Sequence, residues 1–552
     1  MWHILLTMVS TTRRLTKFFV FSVLVGFLVI PTGCGPTETK VQKGNREQVL
    51  HLSNGSEPES IDPHIVTGVP EHNVISALTE GLVTEDPVDL HPVPGMAESW
   101  DISEDGTVYT FRLRDNAKWT NGDPVTARDF VRSFQRILTP SLASKYAYML
   151  FLMKNAEPYN KGELKDFSQV GARAIDDRTL EITLNNAAPY FLSLLNHYTW
   201  FPVHVPTIEK YGKPDDRGNP WTKAGNFVSN GPFRLKEWRI SDVMIVEKNP
   251  DYWDANTVRL REIHFYPIES IETQDRAFRN GGTHNTYEMI PAKIEQYQKE
   301  SPELVHIDPY LGSYFYRINT QKKPFDDVRV RRALAMAVDR ESIVKNVTRG
   351  GQMPGNYFTP PNTAGYTTRA RIPTDLEQAK KLLAEAGYPE GKGFPKTSII
   401  FNTNESHKAI AASIQEMWRK HLNIEVELIN QEWKVYLDSQ RNGDYFLSRA
   451  GWIGDYVDPN SFMDMWTSWS QQNQTGWATD AYDELIAQAG KTGDVQQRLE
   501  YFQQAEEILM AEAPIIPIYI YTRVYLLDPA VKNWNPTILD HHPYKHLYLE
   551  SN

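Results

Sequence analysis

The segment from residue 397 to residue 428 constrains the fold more than any other part of the chain, because its hydrophobic period changes twice. Residues 397–401 (TSIIF) contain β-branched and aromatic residues and are typical of a strand. Apolar residues then follow at helical spacing, at Ile410, Ile414, Met417, Trp418 and Leu422. Alternation returns at Ile424, Val426 and Leu428. A strand, a helix and a second strand predict a parallel pair joined by a right-handed crossover, and so a mixed α/β architecture with more than one lobe.

The residues just before this unit carry the start and stop signals of another helix. Thr374 and Glu377 have the spacing of a capping box, in which the Thr hydroxyl and the Glu carboxylate each accept a free amide. Gly387 supplies a left-handed stop. The predicted helix has one apolar face, made of Ala379, Leu382, Leu383 and Ala386.

Two other segments have a clear period. Residues 108–113 alternate like a strand, ahead of a turn at Asn121-Gly122. Residues 326–344 have helical spacing, with a predicted buried stripe at Ala333, Ala337 and Ile343.

The composition excludes several classes of protein. The chain has 552 residues, which suggests two to four domains at about 150 residues each. One cysteine excludes a disulfide framework and a cysteine-rich zinc site. A net charge of −11 does not favour contact with a phosphate backbone, so nucleic-acid binding is not expected. No repeat of 20 to 50 residues appears, which disfavours solenoids and propellers.

The amino terminus has the pattern of an export signal. Arg13, Arg14 and Lys17 precede an apolar run over residues 18–30, which is too short for a membrane span of about 20 residues. The only cysteine, Cys34, follows Thr-Gly and resembles the acylated cysteine of bacterial lipoproteins, although Pro31 stands where that pattern prefers leucine. We expect residues 1–33 to be a signal peptide and residues 34–47 to be a lipid-anchored linker. A plain cleaved signal is the alternative.

The motifs of common enzymes are absent from the sequence. It has no Gly-x-Ser-x-Gly elbow, no His-Glu-x-x-His, no phosphate-binding loop and no Gly-x-Gly-x-x-Gly after a strand. Asp326-Asp327 is a carboxylate pair of the kind that glycosidases use, but a chain with 69 acidic residues contains such pairs by chance. His541, His542 and His546 are compatible with a metal site, but we expect an exposed loop there. We therefore predict no enzyme activity, no cofactor and no metal.

Residues 449–459 have the composition of a ligand site. Small residues let a ligand backbone approach closely, and Trp452 and Tyr456 flank the carboxylate of Asp455, which can hold an ammonium group. Arg449 can pair with a carboxylate. An acid and a base separated by aromatic rings suit a zwitterion such as a peptide. An internal Arg–Asp salt bridge beside a strand is the alternative.

Several motifs, in order along the chain, resemble those of the extracellular solute-binding proteins of peptide ABC transporters. They include residues 97–100 (AESW), 105–114 (DGTVYTFRLR), 119–129 (WTNGDPVTARD) and 449–459 (RAGWIGDYVDP). The resemblance implies an α/β periplasmic-binding-protein fold with two lobes that close at a hinge over the ligand, and an extra third domain. It places lobe I at 48–69, 191–300 and 524–552, the extra domain at 70–190, and lobe II at 301–523.

The resemblance also implies roles for individual residues. Asp455 matches the family's ligand for the peptide ammonium, and Arg449 and His407 match residues on the carboxylate side. A second arginine of the family falls at Gln440, beside Arg441. The segments of Glu57, Gly451 and Ile453 match those that pair with the peptide main chain. The residues that match the surroundings of the side-chain pockets are Trp433, Trp452, Asn473 and Tyr521.

The expected function is therefore transport rather than catalysis. We expect a monomeric protein outside the cytoplasmic membrane, in the periplasm or on the cell surface, that captures oligopeptides and delivers them to a membrane ABC permease with its own ATPase subunits. The alternatives are the same fold with another solute, such as a nickel chelate, haem, a murein peptide or an oligosaccharide, and an extracellular hydrolase.

Overall fold

The computed structural model describes residues 38–551, so the predicted signal peptide and the first four residues of the predicted linker, among them Cys34, lie outside the described residues. The rest of the predicted linker contains a helix at Lys40–Glu47, in which Val41, Gly44 and Asn45 are buried. No helix in the described range combines the length and the apolar character of a membrane span. The strands of the described range are β1 (Val49–Ser53), β2 (Val83–Glu85), β3 (Pro92–Pro94), β4 (Ala97–Ile102), β5 (Val108–Leu113), β6 (Ala172–Ala174), β7 (Thr179–Thr183), β8 (Phe233–Arg239), β9 (Val243–Lys248), β10 (Glu262–Tyr266), β11 (Val305–Ile318), β12 (Met353–Pro354), β13 (Thr397–Asn402), β14 (Val426–Gln431), β15 (Leu447–Ile453), β16 (Ile515–Leu526), β17 (Val531–Lys532) and β18 (Tyr548–Leu549).

The α-helices lie between these strands and vary widely in length. They are α1 (Lys40–Glu47), α2 (Val69–Leu78), α3 (Ala127–Leu138), α4 (Ala156–Asn160), α5 (Phe191–Leu194), α6 (Val205–Tyr211), α7 (Ile271–Arg279), α8 (Ile294–Glu300), α9 (Val328–Met336), α10 (Arg340–Ile343), α11 (Leu376–Glu385), α12 (Glu405–Leu422), α13 (Trp433–Asn442), α14 (Asn460–Met463), α15 (Asp480–Ala489) and α16 (Val495–Glu512).

Three larger sheets organise the molecule. The first sheet has the strand order β1-β10-β9-β8, and the second has the order β12-β16-β11-β15-β13-β14. The third sheet, β4-β5-β7-β6, uses only residues between 97 and 183. The remaining strands form the pairs β2-β3 and β17-β18. Both parallel and antiparallel neighbours occur, which confirms the predicted mixed α/β class.

The predicted strand–helix–strand unit is confirmed. β13 pairs in parallel with β14, from Thr397 with Val426 to Asn402 with Gln431, and α12 connects them. The apolar face of α12 is buried at Ile410, Ile414, Trp418 and Leu422. Trp418 also donates its indole N–H to the carbonyl oxygen of Leu334 at 3.0 Å, which fixes α12 against α9.

The predicted start of α11 is wrong by one residue. The cap is Asp375, whose side chain accepts the amide of Gln378. The hydroxyl of Thr374 instead donates to the carbonyl oxygen of Val338, a contact between distant segments that local spacing does not encode. The predicted left-handed stop at Gly387 is confirmed, with φ +98°.

The other periodic segments match their predictions in part. The strand at 108–113 is β5, with the predicted bounds. Ala333, Ala337 and Ile343 are all buried, but the predicted helix over 326–344 is divided into α9 and α10. The division falls at Asp339, whose side chain caps α10 by accepting the amide of Ser342.

The long strands β11 and β16 lie side by side in the second sheet. They pair from Val305 with Leu526 to Arg317 with Ile515, but their register shifts between Pro309 and Ser313. A bulge of this kind bends a strand and turns side chains in new directions. Here it lies beside Tyr310 and Tyr521, both of which line the cavity described below.

Candidate functional site

A cavity of about 300 Å³ lies between parts of the chain that are far apart in sequence. Its walls come from the loop after β1, the start of α2, residues around Tyr146 and His197, the start of α12, and strands β15 and β16. Eight of the ten predicted binding residues line this cavity. They are His407, Trp433, Arg449, Gly451, Trp452, Ile453, Asp455 and Tyr521.

Asp455 forms a negatively charged end of the cavity. Its Oδ1 accepts the hydroxyl of Tyr146 at 3.2 Å and lies 3.3 Å from Nε2 of His197, while its backbone amide donates to Ser461 Oγ at 2.7 Å. The side chain is only 9% exposed, and Oδ2 is buried without a hydrogen-bond partner. A buried carboxylate oxygen with no partner is costly, so this end is prepared for a cationic group.

Arg449 forms a positively charged end. Its Nη2 donates to the hydroxyl of Tyr521 at 2.8 Å, its guanidinium lies 4.7 Å from the ring centre of Tyr314, and its Nε is buried without a partner. No carboxylate of the described residues pairs with it, so the alternative of an internal Arg449–Asp455 salt bridge is not what the structure contains.

His407 lies beside Arg449 at the first turn of α12. Asn404 caps this helix by accepting the amide of His407, and Nδ1 of His407 lies 3.4 Å from the hydroxyl of Tyr314. Burial, and then the nearby charge of Arg449, hold the pKa of His407 well below its usual range. The imidazole is therefore neutral at neutral pH, and Arg449 supplies the charge at this end.

The strand β15 connects the two charged ends and has an open edge beside the cavity. One of its edges pairs with β11 along its whole length, but the other pairs with β13 only at Leu447 and Ser448. The backbone from Arg449 to Ile453 therefore has no strand on that edge. Gly451 permits the close approach of Tyr521, since a Cβ at this position would lie 2.6 Å from the hydroxyl oxygen of that residue.

Aromatic rings form much of the remaining wall. Trp452 is 6% exposed and donates its indole N–H to the carbonyl oxygen of Ser461 at 2.6 Å. Trp433 stacks on Tyr436 with ring centres 5.6 Å apart, and Tyr521 meets Tyr519 edge-on at 5.2 Å. These packed rings give the cavity apolar surfaces with a fixed shape.

Two predicted binding residues do not line the cavity. The carboxylate of Glu57 accepts the indole N–H of Trp238 at 2.6 Å and the amide of Ser241 at 2.9 Å. The side-chain amide of Asn473 donates to the carbonyl oxygens of Trp466 and Trp477. Both side chains fix local backbone.

Gln440 and Arg441, at the position of the second family arginine, are also outside the cavity lining. Gln440 is buried and donates to the hydroxyls of Tyr436 and Ser448, each at 2.8 Å. Arg441 pairs with Glu59 at 3.2 Å and with Asp438 at 2.5 Å.

Several cavity residues were not predicted from the sequence. Arg523 and Asp540 form an ion pair of 2.5 Å in the wall, and although burial opposes it, Arg523 and His542 lower the pKa of Asp540 to about 2. Tyr146 and His197, which contact Asp455, were missed because they lie more than 250 residues from it in the chain. Tyrosines at positions 519, 521 and 525 lie on one face of a strand, and this pattern was the sequence signal for the part of the cavity wall that β16 forms.

The expectation of an exposed loop at His541 and His542 is wrong. His541 lies 2.9 Å from Glu85, and His542 lies 3.0 Å from Asp540 and stacks on Trp534 at 3.9 Å. Their carboxylate partners and ring contacts hold them half-buried. Within the described range, the group of three residues with atoms close enough for a metal is instead Asp86, Asp89 and His91, which are not part of the cavity.

Comparison with known proteins gives extensive matches. Residues 91–474 match the family described as bacterial extracellular solute-binding proteins, family 5, middle region. The chain is 40% identical over 518 residues to the periplasmic oligopeptide-binding protein OppA of Salmonella typhimurium, covering 91% of this chain and 93% of that protein. It is similar to the crystal structure of Haemophilus influenzae OppA in complex with the peptide RPPGFSPFR, with a TM-score of 0.85, 36% identity and coverage of 91% and 99%.

A third relative has been solved in two structures, which match the present structure to different degrees. The murein tripeptide-binding protein MppA of Escherichia coli, 37% identical, superposes with a TM-score of 0.85 in one structure and 0.61 in its unliganded open form. These structures cover 91% of this chain, and 98% and 97% of the respective MppA chains. The present structure is therefore more similar to the first of these structures than to the unliganded open form. The two-lobed fold, the family match over residues 91–474 and the identity over most of the chain show that the protein belongs to the bacterial extracellular solute-binding proteins, family 5.

Proposed function

We propose that the protein captures oligopeptides outside the cytoplasmic membrane and delivers them to a membrane ABC permease whose ATPase subunits drive import. The observation that carries this proposal is the pair of opposite charges in one cavity, each with a buried atom that has no partner: Oδ2 of Asp455 and Nε of Arg449. The peptide ammonium pairs with Asp455, and a carboxylate pairs with Arg449. The names of the relatives, which include oligopeptide-binding proteins, support this assignment.

The open edge of β15 supports capture through the peptide main chain. An extended peptide that adds to this edge bonds with backbone groups of residues 449–453, which gives affinity without selecting side chains. Trp433, Trp452 and Tyr521 then contact the peptide side chains. Glu57 and Asn473 act indirectly, by fixing the backbone near the peptide.

The domain limits and the location belong to the same proposal. Lobe I comprises 48–69, 191–300 and 524–552, the extra domain 70–190, and lobe II 301–523. The three larger sheets support this division, because each draws its strands from one of these parts, apart from the carboxyl-terminal end of β16. Cys34 carries the lipid anchor, the protein acts as a monomer, and it has no catalytic activity of its own.

The test compares peptides that have a free or an acetylated amino terminus. Calorimetric titration with tri-, tetra- and penta-alanine and their N-acetyl forms should show binding to the wild type. We expect Asp455→Ala to weaken binding of the free peptides by about tenfold or more, because the ammonium is then buried without a partner. Binding of the acetylated peptides should change little.

Asp444→Ala is the matched control, since Asp444 is exposed and outside the cavity. It should leave both peptide series unchanged. An equal loss for free and acetylated peptides in Asp455→Ala would contradict the assignment of Asp455 to the ammonium.

A further inference from the structure

A second, smaller cavity of about 30 Å³ adjoins the peptide cavity. We call it the side compartment, and it is continuous with the peptide cavity because the two share part of their walls. The residues that line both are His72, Asn73, Tyr287, Arg523, Asp540 and His541. A water molecule needs about 10 to 15 Å³ of such space, so the side compartment has room for about two groups of that size. It can therefore receive the tip of a small group that enters from the peptide cavity.

The wall of the side compartment carries polar atoms that have no hydrogen-bond partner among the described residues. They include Oγ of Ser53, a residue that is only 3% exposed, and Nδ1 of His542. The other ring nitrogen of His542, Nε2, lies 3.0 Å from Oδ1 of Asp540 and donates to it, because a carboxylate can only accept. Since buried polar groups are normally paired, these atoms fit a ligand that can both donate and accept.

The charges in this wall are balanced. Arg523 pairs with Asp540 at 2.5 Å, and Nδ1 of His541 lies 2.9 Å from the carboxylate of Glu85. Although burial opposes it, the Glu85 carboxylate raises the pKa of His541, which keeps this pair ionic. Each positive group therefore already has a carboxylate, and a charged ligand group would be buried without a counter-charge, at a high cost. The side compartment thus favours a neutral polar group.

Ring contacts connect the side compartment to the end of the peptide cavity where Asp455 lies. His72 stacks on His541 with ring centres 4.4 Å apart, and its ring centre is 5.9 Å from that of Tyr198. The ring of Tyr198 lies 4.1 Å from that of His197, whose Nε2 is 3.3 Å from Oδ1 of Asp455. All five residues line the peptide cavity. A group that enters the side compartment therefore comes from the part of the peptide near its amino terminus.

We propose that the side compartment binds a neutral side chain with a hydroxyl or carboxamide group, from a residue near the amino terminus of the peptide, and that Ser53 and His542 recognise this group. The inference rests on the proposed peptide-binding function. Pairing along the open edge of β15 does not select side chains, so the side compartment adds a preference at one position of the peptide. An apolar side chain of the same size leaves Ser53 and His542 without partners, and a site built for hydrogen bonds rejects such an analogue.

The experiment compares side chains of equal shape. Alanine tripeptides with free termini carry threonine at each position in turn, and each is compared by calorimetry with its valine counterpart, in which a methyl group replaces the hydroxyl. We expect the wild type to bind the threonine peptide about tenfold tighter at one position, and to bind asparagine tighter than aspartate there. Ser53→Ala, which removes a hydroxyl that has no partner among the described residues, should reduce the threonine-to-valine ratio to about twofold or less. The valine peptides should bind this variant as they bind the wild type, which reports a folded site.

Ser468→Ala is the matched control, because Ser468 is exposed and lines neither cavity, and this variant should keep the preference. His542→Phe retains a ring against Trp534 and should lose the preference as Ser53→Ala does.

Three results would overturn the inference and leave peptide binding intact. Equal binding of threonine and valine peptides by the wild type at every position would show that the side compartment holds only water. A preference that Ser53→Ala and His542→Phe both retain would place its origin elsewhere, and tighter binding of aspartate than asparagine at the preferred position would contradict a neutral ligand group. Failure of all free peptides to bind would instead overturn the proposed function.

Discussion

At the scale of single residues, the site depends on groups whose charge is set by burial. His407 is neutral because its pKa is lowered well below the usual range by burial and by Arg449. Asp464, close to Asp455, is driven toward the protonated form, because burial and then the charges of Asp455 and Asp458 raise its pKa well above the usual range. His407 and Asp464 therefore add little charge to the parts of the cavity where Arg449 and Asp455 lie. Sequence motifs identified Arg449 and Asp455. The protonation states of His407 and Asp464 could not be predicted from the sequence, because they depend on burial, which follows from tertiary packing.

Glu71 gives a prediction on stability at this scale. It is buried beside the cavity wall, its carboxylate accepts the amide of Glu59 at 2.6 Å, and its second oxygen has no partner. Burial raises its pKa to about 7. An acid with a raised folded pKa holds its proton more tightly in the folded state, so the free energy of unfolding falls by about 3 kcal/mol as the pH rises from about 4.5 to 7.

We expect Glu71→Gln to remove this dependence, because glutamine keeps the acceptor and stays neutral. Urea unfolding at about pH 8 should show a gain of about 1 to 3 kcal/mol, with a smaller change at about pH 5. The control Glu98→Gln changes an exposed acid and should have little effect at either pH. A stability change for Glu71→Gln that is the same at both pH values would contradict the prediction.

At the scale of elements, β15 is the part of the site that local sequence describes best. Its alternation, its small residues and its charged ends all lie within residues 447–455, so they are visible without knowledge of the fold. Strand β11, which pairs with β15, and strand β16, which pairs with β11, are separated from β15 by more than 60 residues on the closer side. Their register shift, which directs Tyr310 and Tyr521 to the cavity, has no local signal. The predicted cap of α11 at Thr374 is wrong for the same reason, because the Thr374 hydroxyl donates to the distant residue Val338.

Gly451 tests the role of this element. A methyl group there would lie 2.6 Å from the hydroxyl oxygen of Tyr521, which accepts a hydrogen bond from Arg449. Gly451→Ala should therefore displace Tyr521 and Arg449 and weaken peptide binding by about tenfold, since overpacking costs about 1 to 3 kcal/mol. The double variant Gly451→Ala/Tyr521→Phe removes the clashing hydroxyl and should recover part of the affinity. Calorimetry that finds no recovery would assign the loss to another contact of the methyl group.

At the scale of the whole molecule, the tertiary fold brings together residues that no local pattern relates. Asn404 donates to Glu288 at 3.0 Å, Glu405 accepts the amide of Ile271 at 3.3 Å, and Arg441 pairs with Glu59 at 3.2 Å. The two-lobed class was predictable from the order of motifs along the chain. These contacts were not, because each joins segments separated by more than 100 residues, and such pairs depend on the relative position of the lobes. The Glu405–Ile271 and Arg441–Glu59 contacts lie outside the cavity lining, whereas Asn404 and Glu288 are part of it.

Tyr190 allows closure to be tested apart from ligand contact. Its ring stacks on Tyr456 at 5.2 Å with an angle of 9° between the planes, and Arg498 lies 5.0 Å from its centre, but neither tyrosine lines the cavity. Stacked aromatic pairs contribute about 0.5 to 1.5 kcal/mol, so Tyr190→Ala should reduce the population of the closed form and raise the apparent Kd of peptides about two- to tenfold. The increase should appear in the dissociation rate, because the closed form retains the bound peptide, while association changes less. Tyr190→Phe keeps the ring and should behave like the wild type. Stopped-flow measurement of an unchanged dissociation rate in Tyr190→Ala would show that this stack does not hold the lobes closed.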